Sequence, residues 1–294
     1  MVGVPDNTCN VCGSTQTAQA LVAGNRHGRH DLLPEREFVY RRCSDCGNLF
    51  LTGVTFDSAY YATYYPEDYY SAESAGRGPL NQAVRVLARY SHARKRRLIV
   101  RHTARGPGRL RILDIGCGAG EFLAALPPAA FDRVGLEINP NGVAAARSKG
   151  VDVIHGDIRS LAPDTQPFDI VTLWHVLEHV PDPAALLAAI RRIKKDSGVI
   201  VFAVPNTESL GFKLGGALWF HLDAPRHVFL PRVQTMHWLL RHCGYRELST
   251  VSEWYDFPLD LFWSVRQSPV RPAVWAAYPV VKRFSRETIT IVAR

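Results

Sequence analysis

The sequence has no apolar run that approaches the roughly 18 residues a helix needs to cross a bilayer. It also shows no basic start followed by an apolar stretch, because the opening Met-Val-Gly-Val-Pro-Asp leads towards cysteines instead. We therefore expect neither a membrane span nor a secretory signal, and we expect a cytoplasmic protein. With 294 residues, of which 47% are hydrophobic and 21% charged, the chain is long enough for one sizeable α/β domain and a smaller one.

Acidic residues are absent from one part of the chain. Between Arg77 and Arg111 there are eleven Lys and Arg residues and no Asp or Glu, whereas elsewhere the 27 acidic residues outnumber the basic ones. The net charge of +8 therefore comes from a single segment. Such a patch favours an anionic partner, for example a nucleotide diphosphate, RNA or an anionic membrane surface, although a solvated helix face would carry the same charges.

Four of the six cysteines form two Cys-x-x-Cys pairs, Cys9 with Cys12 and, after thirty intervening residues, Cys43 with Cys46. In a chain without a secretory signal, this spacing indicates metal binding rather than disulfides. Four thiolates fill the tetrahedral shell of zinc and leave no open position, so we predict a structural zinc ion remote from the chemistry. Two redox-active dithiols are the alternative, but the surrounding thioredoxin-like pattern of strand and helix is missing.

The chain divides into three parts. Residues 1–52 hold the cysteine pairs and are predicted to form a small zinc-ribbon domain, and residues 53–107 hold a tyrosine-rich connector at 60–70, a linker of small residues and a basic helix from about Leu80 to His102. From 108 to 294, short apolar strands alternate with helical stretches, which is typical of a parallel sheet with crossover helices. In this part we predict strands at 110–115, 133–138, 151–155, 168–173, 198–204, 246–252 and 287–293, and helices near 119–127, 140–149, 183–195 and 232–243.

A glycine-rich turn follows the first strand of the third part. Asp114 ends the strand and precedes Gly116, Gly118 and Gly120. Glycines let the backbone turn tightly beside a ligand, and the start of the next helix offers free N–H donors. Dinucleotide-binding enzymes have a related turn, but they space their glycines as G-x-G-x-x-G. The turn therefore predicts a cofactor site without identifying the cofactor.

Two more acidic residues end the next strands, Glu137 in Gly-Leu-Glu-Ile-Asn and Asp157 in His-Gly-Asp-Ile. With the glycine turn, they resemble the class I S-adenosylmethionine (SAM) dependent methyltransferases over about residues 108–294. The resemblance implies an α/β fold with a Rossmann-like, seven-stranded sheet. It also implies that the turn and Asp114 hold the methionine part of SAM, and that Glu137 binds both ribose hydroxyls. Asp157 and the backbone of Ile158 would then bind the adenine.

The fourth strand runs into Trp174-His175-Val-Leu-Glu178-His179. This sequence is similar to the loop that lines the transfer site in small-molecule methyltransferases of the class. The similarity implies that Trp174 lies against the cofactor, and that Glu178 and His179 lie near the acceptor. His175 and His179 are four residues apart, so on a helical turn they would share a face with Glu178 adjacent, and a catalytic metal is an alternative to structural packing of His179.

The cysteine ribbon, the tyrosine-rich connector and the methyltransferase domain together resemble the zinc-containing sugar C-methyltransferases and their broader relatives in glycan and natural-product pathways. In those enzymes the base is a His after the fifth strand, and the matching stretch here is Asp223-Ala-Pro-Arg226-His227. The resemblance makes His227 the base, and a histidine ordinarily titrates near neutral pH. Asp223 is expected to orient its imidazole, and Arg226 to bind an anionic part of the acceptor. The sugar enzymes have a Glu in place of Arg226, so their substrate and their carbon-directed reaction do not simply carry over.

These observations predict a SAM-dependent methyltransferase with a structural zinc ion that acts on a small molecule. A sugar, glycan or natural-product intermediate, free or nucleotide-linked, is the expected acceptor, methylated on oxygen or carbon. The alternative is an RNA methyltransferase that grips phosphates with the ribbon and the basic helix. Against it, no Asn-Pro-Pro-Tyr step of the kind seen in adenine amino-group enzymes follows the fourth strand.

Aromatic residues near the C-terminus, including Trp263 and Trp275, either pack an insertion between the last two strands or touch a membrane surface.

Overall fold

The computed structural model describes residues 2–3, 7–25, 36–65, 79–103, 108–253 and 257–294. Within these ranges, backbone hydrogen bonds form a seven-stranded, a four-stranded and a two-stranded sheet. The seven-stranded sheet is mostly parallel and has helices between its strands. The predicted α/β class with a Rossmann-like sheet and a small N-terminal cysteine-bearing part is therefore confirmed.

The N-terminal part is built from short antiparallel strands. Its elements are β1 (Val2–Gly3), β2 (Thr17–Gly24), β3 (Glu37–Cys43), β4 (Leu49–Thr52), β5 (Thr55–Phe56), α1 (Ser58–Tyr64) and the long helix α2 (Pro79–His102). Helix α2 begins one residue before the predicted start at Leu80 and ends at the predicted residue. Tyr69, Tyr70 and most of the predicted linker lie outside the described residues.

The strands of the second part run close to the predicted bounds because each is a short apolar run closed by turn residues. They are β6 (Leu110–Ile115), β7 (Phe131–Glu137), β8 (Asp152–His155), β9 (Phe168–Trp174), β10 (Lys194–Pro205), β11 (Phe229–Leu230), β12 (Glu247–Glu253) and β13 (Thr288–Ala293). The large sheet has the order β12-β13-β10-β9-β6-β7-β8. Strands β10, β9, β6, β7 and β8 are parallel, and β13 is antiparallel to both of its neighbours.

Helices connect these strands. They are α3 (Glu121–Ala124), α4 (Pro140–Ser148), α5 (Pro183–Ile193), α6 (Leu210–Gly215), α7 (Val233–His242), α8 (Asp260–Ser264), α9 (Arg271–Ala276) and α10 (Tyr278–Phe284). Capping residues set two of the starts, because the side chains of Asn139 and Asp182 accept backbone N–H bonds and a proline follows each of them. Helix α3 is shorter than the predicted 119–127. Left-handed Gly118 and Gly120 delay its start, and the backbone leaves the helix before Pro127.

The four-stranded sheet joins the two parts of the chain. Its order is β11-β4-β3-β2, and β11 comes from the segment that follows the fifth parallel strand. Phe229 pairs with Phe50 and Leu230 with Leu49 in an antiparallel register. A hydrophobic core of side chains from both parts runs through this contact. No helix among the described residues is long and apolar enough to cross a membrane.

Candidate active site

The glycine turn between β6 and α3 needs its glycines. Gly116, Gly118 and Gly120 have φ angles of 67°, 53° and 72°, a region that side chains disfavour. A Cβ atom on Gly116 would lie 2.6 Å from Val176, and one on Gly120 would lie 2.7 Å from Ala146. The turn is therefore packed closely against the loop that follows β9 and against helix α4.

Glu137 links the second strand to this turn. Its carboxylate is buried, and it accepts hydrogen bonds of 2.8 Å from the backbone N–H groups of Gly118 and Asn139. Each carboxylate oxygen has two lone pairs, so each keeps one for a further donor. The geometry suits a pair of ribose hydroxyls, and this role of Glu137 stays a prediction.

Asp114 is buried at the end of β6, where the Thr172 hydroxyl donates to it at 2.6 Å. Burial raises the pKa of Asp114 to about 7, although the Thr172 hydrogen bond and the positive charge of Lys95 act in the opposite direction. Lys95 comes from the basic helix α2, and its Nζ atom lies 4.5 Å from the centre of the Trp174 ring. Sequence reasoning treated this helix as a basic patch and missed that its single lysine turns towards the predicted cofactor site.

Asp157 lies at the other side of the predicted cofactor site and is partly exposed. It accepts a 2.8 Å bond from the Arg159 backbone N–H, and the Arg159 guanidinium forms an ion pair with it. The hydrogen bond from the Arg159 guanidinium lowers the pKa of Asp157. Asp157 caps the short 3-10 turn Ile158–Ser160. The assignment of Asp157 and Ile158 to the adenine stays a prediction.

Three polar atoms at the end of β9 and in the loop after it are buried and have no hydrogen-bond partner among the described residues: Nε1 of Trp174, Nε2 of His175 and Oε2 of Glu178. His175 has a φ of 57°, a left-handed conformation that costs a non-glycine residue about 1–3 kcal/mol. Its Nδ1 lies 3.1 Å from Glu178 Oε1. Orphaned buried polar atoms and backbone strain both mark this loop as a ligand-facing part of the protein.

His175 and His179 do not share a face as the helical spacing predicted. The left-handed turn at His175 sends its ring towards His221, with ring centres 6.4 Å apart, whereas the His179 ring contacts His227 at 4.6 Å. His179 Nδ1 lies 2.9 Å from the Tyr65 hydroxyl and 3.1 Å from the Arg226 carbonyl. Tyr65 of the tyrosine-rich connector therefore reaches the predicted transfer site.

The His227 ring is held by one strong contact. Its Nδ1 lies 2.7 Å from the backbone carbonyl of His221, and since a carbonyl only accepts, Nδ1 must carry the proton. The other ring nitrogen, Nε2, is then unprotonated and can accept a proton. The next residue, Val228, donates its backbone N–H to the carbonyl of Glu178 at 2.8 Å. This bond ties the His227 segment to the loop after β9.

Asp223 and Arg226 form an ion pair with each other instead of making the two contacts expected of them. Arg226 is 1% exposed, its Nε donates to Asp223 at 3.0 Å, and a second guanidinium nitrogen donates to the other carboxylate oxygen. This forked ion pair leaves the guanidinium buried behind Asp223 instead of open to an anionic acceptor. Asp223 lies 3.9 Å from His227 Nε2, beyond hydrogen-bond distance, so it does not orient the imidazole. The functions expected of both residues are therefore revised to a structural pairing.

Burial changes the acid–base properties of the histidines. It lowers the pKa of His227 to about 3, with the charge of neighbouring His179 acting in the same direction, and it also lowers the pKa of His179. The expectation that the base titrates near neutral pH is therefore wrong, since burial lowers the pKa of His227. The sequence did not show that this ring is buried. Burial opposes ionisation of Glu178, but the hydrogen bond from His175 and the surrounding histidines bring its pKa below the usual value.

The four cysteines converge. Their Sγ atoms all lie within 4.8 Å of one another, with Cys9 to Cys46 at 3.6 Å and Cys12 to Cys43 at 3.5 Å. A tetrahedral zinc with bonds of about 2.3 Å separates its sulfur ligands by about 3.8 Å, so the cluster fits this ion. A second group of potential ligand atoms within 4.8 Å of one another comprises Glu178, His179 and His227. Its two Nδ1 atoms are already engaged as described above.

The N-terminal part that carries the cysteines contacts the segment that carries His227. Besides the pairing of β4 with β11, the Tyr60 hydroxyl donates to the Pro225 carbonyl at 3.1 Å, and the Thr235 hydroxyl donates to the Cys46 carbonyl at 2.6 Å. Residues of the N-terminal part therefore support the backbone on both sides of His227. The separation of the zinc ion from the chemistry stays a prediction.

The sheet order, the glycine turn and the acidic residues that end the strands together define a class I SAM-dependent methyltransferase domain. Residues 87–250 match the family described as methyltransferase domain, which is more than half of the 294 residues. The chain therefore belongs to the methyltransferase domain family.

Characterised relatives agree with this class. The chain is 37% identical over 103 residues to a ubiquinone biosynthesis O-methyltransferase of Methylococcus capsulatus. This alignment covers 33% of this chain and 44% of the relative. It is 33% identical over 151 residues to the ubiquinone biosynthesis O-methyltransferase of Aromatoleum aromaticum, which covers 48% of this chain and 64% of that one. The chain thus spans about half the length of the curated relatives it matches.

A solved structure supports the fold. The magnesium protoporphyrin IX methyltransferase of Synechocystis, crystallised with bound SAH, superposes with a TM-score of 0.52 at 15% sequence identity. The superposition covers 80% of this chain and 96% of that one. At this identity the likeness concerns the fold alone.

Proposed function

We propose that the protein transfers the methyl group of SAM to a hydroxyl group of a small organic acceptor. The observation that carries the proposal is the contact network of the loop after β9. This loop touches the glycine turn through Val176 and the His227 segment through Glu178. One loop thus lies between a predicted cofactor site and a pair of neutral histidines. The O-methyltransferases among the relatives favour oxygen over carbon as the acceptor atom.

Bound SAM supplies an electrophilic methyl group on its sulfonium. We expect the glycine turn, Asp114 and Lys95 to hold its methionine end and Glu137 to hold its ribose. The protein must then align the acceptor hydroxyl and accept its proton. We assign this step to His227 on its position, because burial keeps the imidazole neutral and its Nε2 lone pair is free while Nδ1 is held by the His221 carbonyl. This hydrogen bond fixes the orientation of the ring and keeps the proton on Nδ1, so that Nε2 stays available as the acceptor.

His179 and Glu178 complete the proposed acceptor site. His179 packs edge-on against His227, and its Nδ1 is anchored to Tyr65 and the Arg226 carbonyl. The unpartnered Glu178 Oε2 is available to stabilise positive charge on an imidazolium formed during the reaction. A sugar, glycan or natural-product hydroxyl remains our proposed acceptor class. No contact of the described residues favours the RNA alternative.

We also propose that the cysteine cluster holds one structural zinc ion and that residues 1–52 form a ribbon that uses β11 as its edge strand. The connector 53–107 then supplies Tyr65 and Lys95 to the two sides of the site. The catalytic domain 108–294 supplies the remaining groups. In this arrangement the three parts act as one folding unit.

Label transfer from methyl-labelled SAM to pooled phenols, sugars and nucleotide sugars tests the proposal. Once an acceptor is found, His227→Gln should lower kcat by about 10²–10⁴-fold while the Kd for SAM is unchanged, since a general base contributes rate rather than cofactor affinity. His237→Gln is the matched control, because its ring lies on α7 and pairs with Glu247. Normal turnover by His227→Gln together with loss of turnover by His179→Gln would move the base to the loop after β9.

A further inference from the structure

We propose that the helical segment between β12 and β13, residues 258–285, docks on the surface of an anionic lipid bilayer. The segment contains α8, α9 and α10 and carries six of the large apolar side chains that are exposed among the described residues. They are Leu259, Trp263, Val270, Trp275, Val280 and Phe284. Val280 and Phe284 are 64% and 72% exposed, and such exposure of large apolar groups in one segment marks an interaction surface.

Three aromatic side chains of this segment, Phe262, Trp263 and Trp275, pack against one another. The rings of Phe262 and Trp275 stack with centres 4.2 Å apart, and the Trp263 ring meets Phe262 edge-on at 5.5 Å. The Arg271 guanidinium lies 5.1 Å from the centre of the Trp275 ring. Tryptophan and arginine side by side suit the boundary between lipid headgroups and acyl chains, because each combines an apolar body with a polar group.

The charges of the segment favour an anionic surface. Its one acidic residue, Asp260, is buried between His221 at 2.8 Å and Lys282 at 2.6 Å. The outward charges are those of Arg271 and Arg283, with Arg266 partly exposed. A symmetric contact between two copies of this face would bring like charges together, whereas phosphate headgroups would neutralise them.

The docking surface is joined to the candidate active site. Phe257, which directly precedes the segment, packs against the rings of His175 and His221 at 4.9 and 5.1 Å. The buried Asp260 pairs with the same His221 whose carbonyl holds His227. A chain docked in this way would receive its acceptor from the membrane surface. The docking itself is measured without an acceptor, so its failure is distinguishable from failure of the proposed function.

Sedimentation of the full chain with vesicles tests the proposal. We expect binding to phosphatidylcholine vesicles that contain phosphatidylglycerol, little binding to phosphatidylcholine alone, and weakening by salt. Arg271→Gln and Arg283→Gln should each reduce the partition coefficient about fivefold. The matched controls Arg96→Gln and Arg97→Gln remove exposed charges from α2 and should leave binding close to that of the unmodified chain.

Apolar variants provide a second readout. Val280→Ser and Phe284→Ser should weaken vesicle binding, whereas Val86→Ser, at a valine on α2 that is 59% exposed, should not. Because these side chains are exposed, thermal melting should show each variant folded. No binding of the unmodified chain to either vesicle, or equal losses in the α2 controls, would overturn the proposal. So would a dimer that the segment variants convert to a monomer in the absence of vesicle binding.

Discussion

The hydroxyl of Tyr40 donates a 2.8 Å hydrogen bond to the backbone carbonyl of His227. Tyr40 lies on β3 in the N-terminal sheet and is fully buried. The cysteine-bearing part of the protein thus holds the backbone of the proposed base directly. Because of this contact and the β4–β11 pairing, we expect the geometry of the acceptor site to depend on the cysteine cluster.

Removal of that hydroxyl should affect methyl transfer more than cofactor binding. We expect Tyr40→Phe to lower kcat and to destabilise the fold by about 0.5–1.5 kcal/mol, with the Kd for SAM unchanged. Tyr245→Phe is the matched control, because its buried hydroxyl donates to the Leu187 carbonyl over the same 2.8 Å. Steady-state kinetics and denaturant unfolding measure both variants. Equal losses of kcat in the two would show that the effect is one of general stability.

The metal cluster gives a second prediction. Elemental analysis should find one zinc ion per chain, and Cys43→Ser should lose it together with methyl-transfer activity and several degrees of Tm. We expect the activity to be lost because β11 and the His227 segment pack on the sheet that the proposed zinc ion would stabilise. Cys243→Ser, outside the cluster, should retain both zinc and activity. A folded, active chain without zinc would contradict the assignment.

Cofactor affinity should depend on pH through Asp114. Its pKa is raised from 3.8 to about 7, so in the ligand-free protein the carboxyl is largely protonated below that pH. The cationic sulfonium and ammonium groups of SAM favour the ionised form, so the Kd should fall as the pH rises and level off above about 7. Calorimetry across this range checks the dependence. In Asp114→Asn the dependence should disappear, and persistence of the same slope would assign it to another group.

The same raised pKa has the opposite consequence for the ligand-free fold. A carboxyl that binds its proton more tightly when folded stabilises the protein below its unfolded pKa, and this contribution is lost as the pH rises through the folded value. Ligand-free protein should therefore lose stability relative to Asp114→Asn as the pH rises through about 7. Thermal melting of the two proteins checks the sign.

The elements of the large sheet were predictable because each depends on local sequence. Strand β6 has the predicted bounds, and α4 begins at Pro140 as predicted, where the structure shows Asn139 as its N-cap. The contacts that shape the acceptor site were not predictable, because they join distant residues. Tyr40 and His227 are 187 positions apart, and no periodic pattern indicates that β11 completes an N-terminal sheet. The low pKa of His227 likewise follows from burial, which only the folded chain defines.

The candidate cofactor residues were predictable for a related reason. Gly116, Glu137 and Asp157 each stand where a strand of a parallel sheet ends, and such ends meet at one edge. Lys95 was missed because its charge was interpreted as part of a uniform basic segment. Its position over Trp174 depends on the packing of α2 against the sheet.

Calorimetric titration of SAM into the unmodified chain and into Glu137→Gln tests whether this site binds the cofactor. Glu137 is a buried acceptor with one free lone pair on each oxygen, so the substitution should raise the Kd at least about tenfold, the equivalent of one charged hydrogen bond. Glu121→Gln, whose carboxylate is exposed in the first turn of α3, is the control and should bind SAM as the unmodified chain does. We expect tight binding that depends on Glu137, and either no binding to the unmodified chain or equal binding by Glu137→Gln would contradict the assignment of the cofactor site.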